Sequence, residues 1–225
     1  QVGLQTTDQL PKSRKPLNVS FVFDKSGSMA GEKIQYSRLA AQSMVDTLGE
    51  QDLFSLVTFD TNVSTLIAPA FAVDREAMKL RINGIEEGSS TNIDGGLEAG
   101  YGHVTKNYDQ SKINRVILMS DGEANVGLTD KESLGARAAS FKSKDVSLTT
   151  IGVGTGFAED FMTHLATEGG GTFYFVNSGS DAQAAFAGEI KNLQRVVASD
   201  VKLNIQLAEG VKLTKVFGHT TSTAG

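Results

Sequence analysis

The sequence predicts an α/β fold: a doubly wound, mostly parallel central sheet flanked by helices on both faces, with short N- and C-terminal β extensions. Short apolar runs typical of strands alternate with segments in which apolar residues recur at helical spacing. Arg115–Ser120 is a nearly continuous apolar run, as expected of a strand covered on both faces. Sheets of this class bind ligands at the carboxyl ends of their strands, so a site is expected there.

The first part of the chain predicts a strand, a helix and a hairpin. Asn18–Asp24 is an apolar run that ends on an acid, and it predicts the first core strand. Lys33–Leu48 carries apolar residues close to helical spacing and predicts a helix. Phe54–Phe59 and Ser64–Ile67 read as two strands, close enough to form a hairpin through Asp60–Asn62.

The middle of the chain predicts two helices, the covered strand and a third helix. Asp74–Ile82 has helical character, with Asp74 as its N-cap. Asn92–Lys106 is predicted to be helical although it contains several glycines. Arg115–Ser120 is the covered strand, and Lys131–Lys144 is the helix that follows it.

The last part of the core predicts two further strand and helix pairs. Ser147–Val153 is a strand, and Glu159–Thr167 is a helix that the glycines of Gly169–Gly171 terminate through a positive φ. Thr172–Val176 is the next strand. Asp181–Val197 is a long helix, and its first residue is predicted to be its cap.

The two ends of the chain differ from this core. Alternating apolar and polar residues predict strands at Val2–Thr6, Val201–Leu207 and Val211–Phe217. We expect the two ends to pair outside the main sheet, as the stub of a second β module. The predicted organisation is an N-terminal β extension (1–16), the α/β domain (17–198) and a C-terminal β extension (199–225). The final polar stretch, His219–Gly225, leads us to expect that the chain is part of a longer protein.

Composition excludes several classes of function. The 225 residues are 40% hydrophobic, which is enough to bury a core, and the net charge is −5 without a strongly basic segment, so the electrostatic footprint of a nucleic-acid binder is missing. There is no cysteine, which excludes disulfides, thiolate catalysis and Cys-ligated metal sites. No run approaches the roughly 20 apolar residues of a membrane span, and Gln1–Asp8 lacks the apolar stretch of a signal peptide.

Three segments place oxygen-bearing side chains at predicted strand ends or in loops beside them. Asp24–Met29 directly follows the first core strand, Gly88–Asn92 leads into a helix, and Ser120–Glu123 follows the covered strand. Hard divalent cations such as Mg²⁺ prefer oxygen ligands. These segments therefore predict a metal site at the upper edge of the sheet.

The candidate ligands are three hydroxyls and two carboxylates. Asp24, Ser26 and Ser28 alternate along an extended turn, so their side chains can converge on one point; Thr91 could add a fourth oxygen and Asp121 a fifth through a water. With only two carboxylates, the cation would keep much of its positive field and attract a carboxylate from outside. A site meant only to hold the metal would be expected to use more acids.

The motifs resemble a known family. Asp-x-Ser-x-Ser, a later threonine and a strand–Asp–Gly–Glu segment, in this order, are similar to the metal-ion-dependent adhesion site (MIDAS) of von Willebrand factor type A domains, most of all to bacterial members. The resemblance covers residues 17–197, and the flanking segments more weakly resemble bacterial proteins in which a β-rich module surrounds this domain. It implies one divalent cation, Mg²⁺ first, with Mn²⁺ or Ca²⁺ as alternatives. The implied metal residues are Asp24, Ser26, Ser28, Thr91 and Asp121.

The resemblance also implies how the site is used. The hydroxyls of Ser26, Ser28 and Thr91 would bind the ion, while the two aspartates would hold metal-bound waters or bind it directly. An Asp or Glu of a protein partner would complete the coordination, and the surrounding loops would set specificity. Lys25 lies between ligand positions and is expected to point away from the ion, whereas Glu123 could shape the rim.

The leading function is thus a cation-dependent protein-binding module for adhesion or assembly, not an enzyme, with neither catalytic nor cofactor-binding residues. One alternative is a structural or assembly subunit whose metal serves folding only. Another is a metal-dependent phosphotransferase, although Ser26 stands where such enzymes often carry a second acid, and no obvious general base is near. Gly152–Gly156 lacks the third glycine of a dinucleotide loop at the proper spacing. An adhesive module with extra β structure suggests a periplasmic or cell-surface location.

Overall fold

The computed structural model describes residues 15–122 and 124–194, and it contains six strands and six α-helices in that part of the chain. The strands are β1 Leu17–Asp24, β2 Leu53–Phe59, β3 Val63–Phe71, β4 Ile113–Ser120, β5 Ser147–Val153 and β6 Gly170–Val176. The helices are α1 Glu32–Thr47, α2 Arg75–Asn83, α3 Ile93–Lys106, α4 Lys131–Lys142, α5 Glu159–Gly169 and α6 Gly179–Gln194. A short 3₁₀ turn, Gly27–Met29, lies between β1 and α1.

The strands form a single sheet in the order β3-β2-β1-β4-β5-β6. All neighbouring pairs are parallel except β2 and β3, which form the antiparallel hairpin at one edge. The prediction of a mostly parallel, doubly wound sheet is therefore confirmed. The chain first adds strands on one side of β1 and later on the other, so the order reverses between β1 and β4, the position at which such sheets open a crevice for ligands.

Alternation along the strands builds two apolar cores, one on each face of the sheet. In β1, Phe21 and Phe23 face the core formed with α1, α2 and α6, whereas Val22 faces the core formed with α3, α4 and α5. All eight residues of β1 are buried, which matches a central strand covered on both sides. Helices thus cover both faces, as the sequence predicted.

Two local predictions need correction. The second strand of the hairpin extends from Val63 to Phe71, well beyond the predicted Ser64–Ile67, because its pairing with β2 reaches from one end to the other, with two register shifts. Helix α6 begins at Gly179, so Asp181 lies in its first turn and is not its cap. The hydroxyl of Ser178 instead accepts a hydrogen bond from the backbone N–H of Asp181 at 3.1 Å, as an N-cap does.

Two cap predictions are confirmed, whereas α4 ends at Lys142, α5 extends to Gly169 and β6 begins at Gly170, each two residues from its predicted bound. The Asp74 side chain accepts a hydrogen bond from the N–H of Ala77 and caps α2, and Gly170 ends α5 with a φ of +66°. The predicted terminal strands and their pairing lie outside the described residues, as does the end of the predicted helix Asp181–Val197. Within residues 15–122 and 124–194, no helix is both long and apolar enough to cross a bilayer.

Candidate metal centre

The two candidate carboxylates lie at the strand ends where the sheet order reverses. Asp24 is the last residue of β1, and Asp121 directly follows β4; β1 and β4 are hydrogen-bonded neighbours. Both side chains are fully buried. The hydroxyl of Ser120 donates a hydrogen bond of 2.5 Å to Asp24 Oδ2 and accepts one from the N–H of Gly122. Ser120 therefore ties the two strand ends together.

The loop after β1 folds back on the carboxylate of Asp24. The N–H of Ser26 donates to Asp24 Oδ1 at 2.8 Å, which forms a tight turn. This turn brings the hydroxyls of Ser26 and Ser28 to within 3.1 Å of each other. Ser26 is buried, whereas Ser28 is exposed. The structure thus brings three of the predicted ligands to one turn, with an opening toward solvent.

The loop that carries Thr91 is joined to this turn by backbone hydrogen bonds. The N–H of Gly27 donates to the carbonyl of Ser89 at 2.7 Å, and the N–H of Gly88 donates to the carbonyl of Lys25 at 2.6 Å. Thr91 itself is 2% exposed and lies directly before Asn92, whose side chain caps α3. Two loops far apart in sequence therefore form one rim.

Asn125 fixes the backbone of Thr91 on both sides. Its side-chain oxygen accepts a hydrogen bond of 2.8 Å from the N–H of Thr91, and its own N–H donates to the carbonyl of Thr91 at 3.0 Å. No sequence pattern pointed to Asn125. Its signal, a polar residue four positions after Asp121 in a glycine-containing loop, is too common to identify a site. Glu123, the expected rim residue, lies outside the described residues.

Lys25 does not approach the candidate ligands. Its ammonium group forms an ion pair of 2.7 Å with Asp60, at the end of β2. A Cβ atom at residue 88 would lie 2.0 Å from the Asp60 carboxylate, so only glycine fits there. The expectation that Lys25 points away from the ion agrees with this pairing, and the pair joins the loop after β1 to the turn after β2.

A different lysine reaches the site. Lys33, in the first turn of α1, places its Nζ 2.9 Å from Asp121 Oδ2. The other oxygen, Asp121 Oδ1, is buried and has no hydrogen-bond partner among the residues that the structure describes. No sequence pattern singles out Lys33, because a lysine at the start of an amphipathic helix is ordinarily solvated.

Burial shifts the pKa of Asp24, the other candidate carboxylate. Removal from solvent raises the pKa of Asp24 to about 6; hydrogen bonds from Ser120 and Ser26 oppose this rise, and the nearby charge of Asp121 adds to it. Two carboxylates that are both buried at one point are costly without a counter-charge. Lys33 offsets part of this charge, and the negative charge that remains would favour a cation.

The residues fit a hard divalent cation. They offer carboxylate and hydroxyl oxygens, and Asp121 Oδ1 is a buried acceptor that nothing else satisfies in residues 15–122 and 124–194. Leaving such an acceptor unpaired costs about 1–3 kcal/mol, a penalty that a cation would remove. In the same residues there is no group of three or more His, Asp or Glu side chains suited to hold a metal. The hydroxyl ligands expected from the sequence stay a prediction.

The chain matches known proteins over most of this domain. A model of the von Willebrand factor type A domain matches residues 18–188. "Uncharacterized protein YfbK" of Escherichia coli (strain K12) is 31% identical over 203 residues, which cover 89% of this chain and 34% of that protein. The chain therefore spans about a third of the length of this relative.

Solved structures share the fold. An aerotolerance-related membrane protein from Bacteroides fragilis superposes with a TM-score of 0.66 at 19% identity, covering 78% of this chain and 99% of that one. Proximal thread matrix protein 1 from the mussel byssus, solved with a zinc-occupied MIDAS motif, superposes with a TM-score of 0.65 at 23% identity, covering 79% of this chain and 48% of that one. At these identities the likeness establishes the fold alone.

Proposed function

The chain belongs to the von Willebrand factor type A domain family, and on that premise we propose that it is a divalent-cation-dependent protein-binding module with a MIDAS-type metal centre. Members of this family commonly mediate protein–protein interaction. The proposed metal residues are Asp24, Ser26, Ser28, Thr91 and Asp121. A carboxylate of a protein partner, from Asp or Glu, fills the coordination position that the chain leaves open.

The observation that carries the proposal is the unpaired, buried Oδ1 of Asp121 at the point where the strand order reverses. The hydroxyls of Ser26 and Ser28 lie 3.1 Å apart in the neighbouring loop, where Ser26 is buried and Ser28 is exposed. A cation bound there supplies a localised positive charge. The chain's own residues hold it with few formal charges, so that its field is not cancelled and an outside carboxylate is attracted.

The first experiment is a calorimetric titration of Mg²⁺, Mn²⁺ and Ca²⁺ into chelator-treated protein. We expect saturable binding of about one ion per chain, with Mg²⁺ as the proposed physiological ion. The variant Asp121→Asn keeps the shape of the side chain but removes its charge, and it should weaken binding by at least about tenfold. Asp46→Asn, the same change at an exposed position of α1, is the matched control and should bind as the wild type does. Absence of binding in the wild type would refute the proposed centre.

The second experiment tests whether the ion accepts a carboxylate. Mn²⁺-loaded protein relaxes water protons through its coordinated waters, and acetate should lower this relaxation by displacing one of them. Acetamide, which has a similar shape and no charge, should have no effect at the same concentration. If acetate also has no effect while chelation lowers the melting temperature, the metal serves folding only and the binding role is wrong.

We further propose that the module works outside the cytoplasm, in the periplasm or at the cell surface, where adhesion and assembly partners meet. Fractionation of cells that produce the full-length protein, followed by detection of this domain, tests the location. Recovery in the cytoplasmic fraction would contradict it.

A further inference from the structure

Lys33 touches the proposed centre, although none of its atoms can be a metal ligand in its charged form. Its ammonium group lies 2.9 Å from Asp121 Oδ2, and its side chain is 26% exposed against 0% for the carboxylate. The pair joins α1 to the end of β4, across the point where the strand order reverses. The proposed function gives this lysine no role.

The aliphatic part of the Lys33 side chain packs against the backbone at Gly154. A Cβ atom at Gly154 would lie 2.6 Å from Lys33 Cε and 3.1 Å from its Cγ, so the stem runs directly over the backbone that follows β5. Gly154 has a φ of +77°, and its N–H donates to the carbonyl of Val176 at 2.9 Å. A bare, hydrogen-bonded backbone thus forms the surface on which the lysine lies. Its position is fixed by packing as well as by charge.

The lysine changes the charge that a metal ion meets. Within the described residues, Lys33 is the one cationic side chain paired with either Asp24 or Asp121. With both carboxylates ionised, the pocket carries a net charge of −1 with the lysine and −2 without it. A divalent cation therefore leaves a net charge of +1, which suits a site that must still attract a carboxylate.

The ion pair also leaves the two carboxylate oxygens of Asp121 in different environments. Lys33 occupies Oδ2 of Asp121, whereas Oδ1 has no partner in residues 15–122 and 124–194. A charge-assisted bond at one oxygen restricts rotation of the carboxylate and leaves the other oxygen available. One contact therefore orients the carboxylate and partly neutralises it.

We propose that Lys33 is a positioning and charge-setting residue of the metal centre, a tethered monovalent cation that stabilises the metal-free site and lowers its affinity for the divalent ion. The inference rests on the proposed function for the identity of the site. Removing the charge leaves two buried carboxylates with no counter-charge except the metal, and it also removes the repulsion between ammonium and metal. Both effects tighten divalent binding, and the first also destabilises the metal-free protein.

The test compares Lys33→Met, which keeps the apolar stem, Lys33→Gln, which keeps a hydrogen-bond donor, and Lys33→Arg, which keeps the charge. Lys79→Met, at a partly exposed ion pair on α2, is the control for loss of a lysine elsewhere. Mn²⁺ is titrated calorimetrically into each chelator-treated protein. We expect binding about tenfold tighter than wild type in Lys33→Met and Lys33→Gln, and unchanged within about twofold in Lys33→Arg and Lys79→Met. Equal or weaker Mn²⁺ binding in both uncharged variants overturns the proposal.

A second readout needs no metal. In excess chelator, thermal melting of the wild type, Lys33→Gln, Asp121→Asn and the double variant forms a double-mutant cycle. We expect the double variant to melt well above the temperature that the two single changes predict together, because an uncharged amide at position 121 no longer needs the lysine. Additive effects would overturn the inference. If the wild type binds no Mn²⁺ while the cycle shows coupling, the proposed function fails and the structural role of Lys33 stands.

Discussion

Two glycines of α3 lie two residues apart in opposite environments, and the same substitution at each should have opposite effects. A Cβ atom at Gly100 would lie 2.5 Å from Val22 Cγ2 and 3.4 Å from Val116 Cγ1, inside the apolar core. A Cβ atom at Gly102 would meet nothing within 4 Å. We therefore compare Gly100→Ala with Gly102→Ala, changes that are identical in chemistry and both lie inside the same helix.

The magnitudes follow from two terms. Replacing glycine by alanine inside a helix stabilises it by about 1 kcal/mol, because less backbone freedom is lost on folding. At Gly102 nothing opposes this gain. At Gly100 the new methyl group must displace Val22, a fully buried residue whose β-branched side chain is stiff, and such overpacking costs about 1–3 kcal/mol. The net result at Gly100 ranges from neutral to about 2 kcal/mol destabilising, so the two variants should differ by about 1–3 kcal/mol.

Urea unfolding in excess chelator, followed by circular dichroism, measures both variants without interference from a metal. Helix α3 follows Thr91 after a single residue, Asn92, so a displaced helix should also weaken Mn²⁺ binding in Gly100→Ala and not in Gly102→Ala. Equal stability of the two variants would show that α3 can move away from the sheet at no cost. The close approach would then not be what positions Thr91.

Two further predictions concern ion pairs outside the ligand set. Glu189 and Arg115 form a buried ion pair, with 3.0 Å between oxygen and nitrogen. Glu189→Gln removes one charge of this pair and should lower the free energy of unfolding in urea by about 3 kcal/mol. The control Glu98→Gln, at an exposed position of α3, should lie within about 0.5 kcal/mol of wild type. Lys25→Met should raise the pKa of Asp60, which burial alone would raise but which the hydrogen bond and charge of Lys25 hold below 3.8. A carboxyl whose pKa is lower in the folded than in the unfolded state stabilises the fold at pH values above its unfolded-state pKa, and this contribution is lost as the pH falls through its folded-state pKa. The variant should therefore be less stable than wild type at pH 7. Unfolding measured over a pH series should show little difference between the two at the acid end.

The sequence predicted the order and type of the described elements because periodicity reports burial directly. Arg115–Ser120 could be recognised as a covered strand from its apolar run alone. Boundaries that depend on tertiary contacts were less predictable. The length of β3 follows from its pairing with β2. The start of α6 follows from its N-cap, which is Ser178 and not the expected Asp181.

The candidate site was predictable to the extent that its residues follow strand ends. Asp24 and Asp121 were found in this way, because parallel strands deliver their carboxyl ends to one edge of the sheet. Lys33 and Asn125 were not, because their roles arise from contacts across 88 and 34 positions of the chain. No local pattern distinguishes such a lysine from a solvated one, or such an asparagine from a turn residue.

The hydrogen bonds of the candidate site favour a binding role for the proposed metal over a purely structural one. Both oxygens of Asp24 are satisfied, by Ser120 and by the N–H of Ser26, and the loops around it are joined by backbone hydrogen bonds that require no ion. Lys33 already neutralises part of the charge of Asp121. A cation bound at the proposed site would then stabilise the fold by mass action, about 2.7 kcal/mol at one hundred times the dissociation constant. In the proposed centre, loops joined by backbone hydrogen bonds and an ion whose charge is only partly cancelled would be better suited to present that charge to a partner than to hold the chain together.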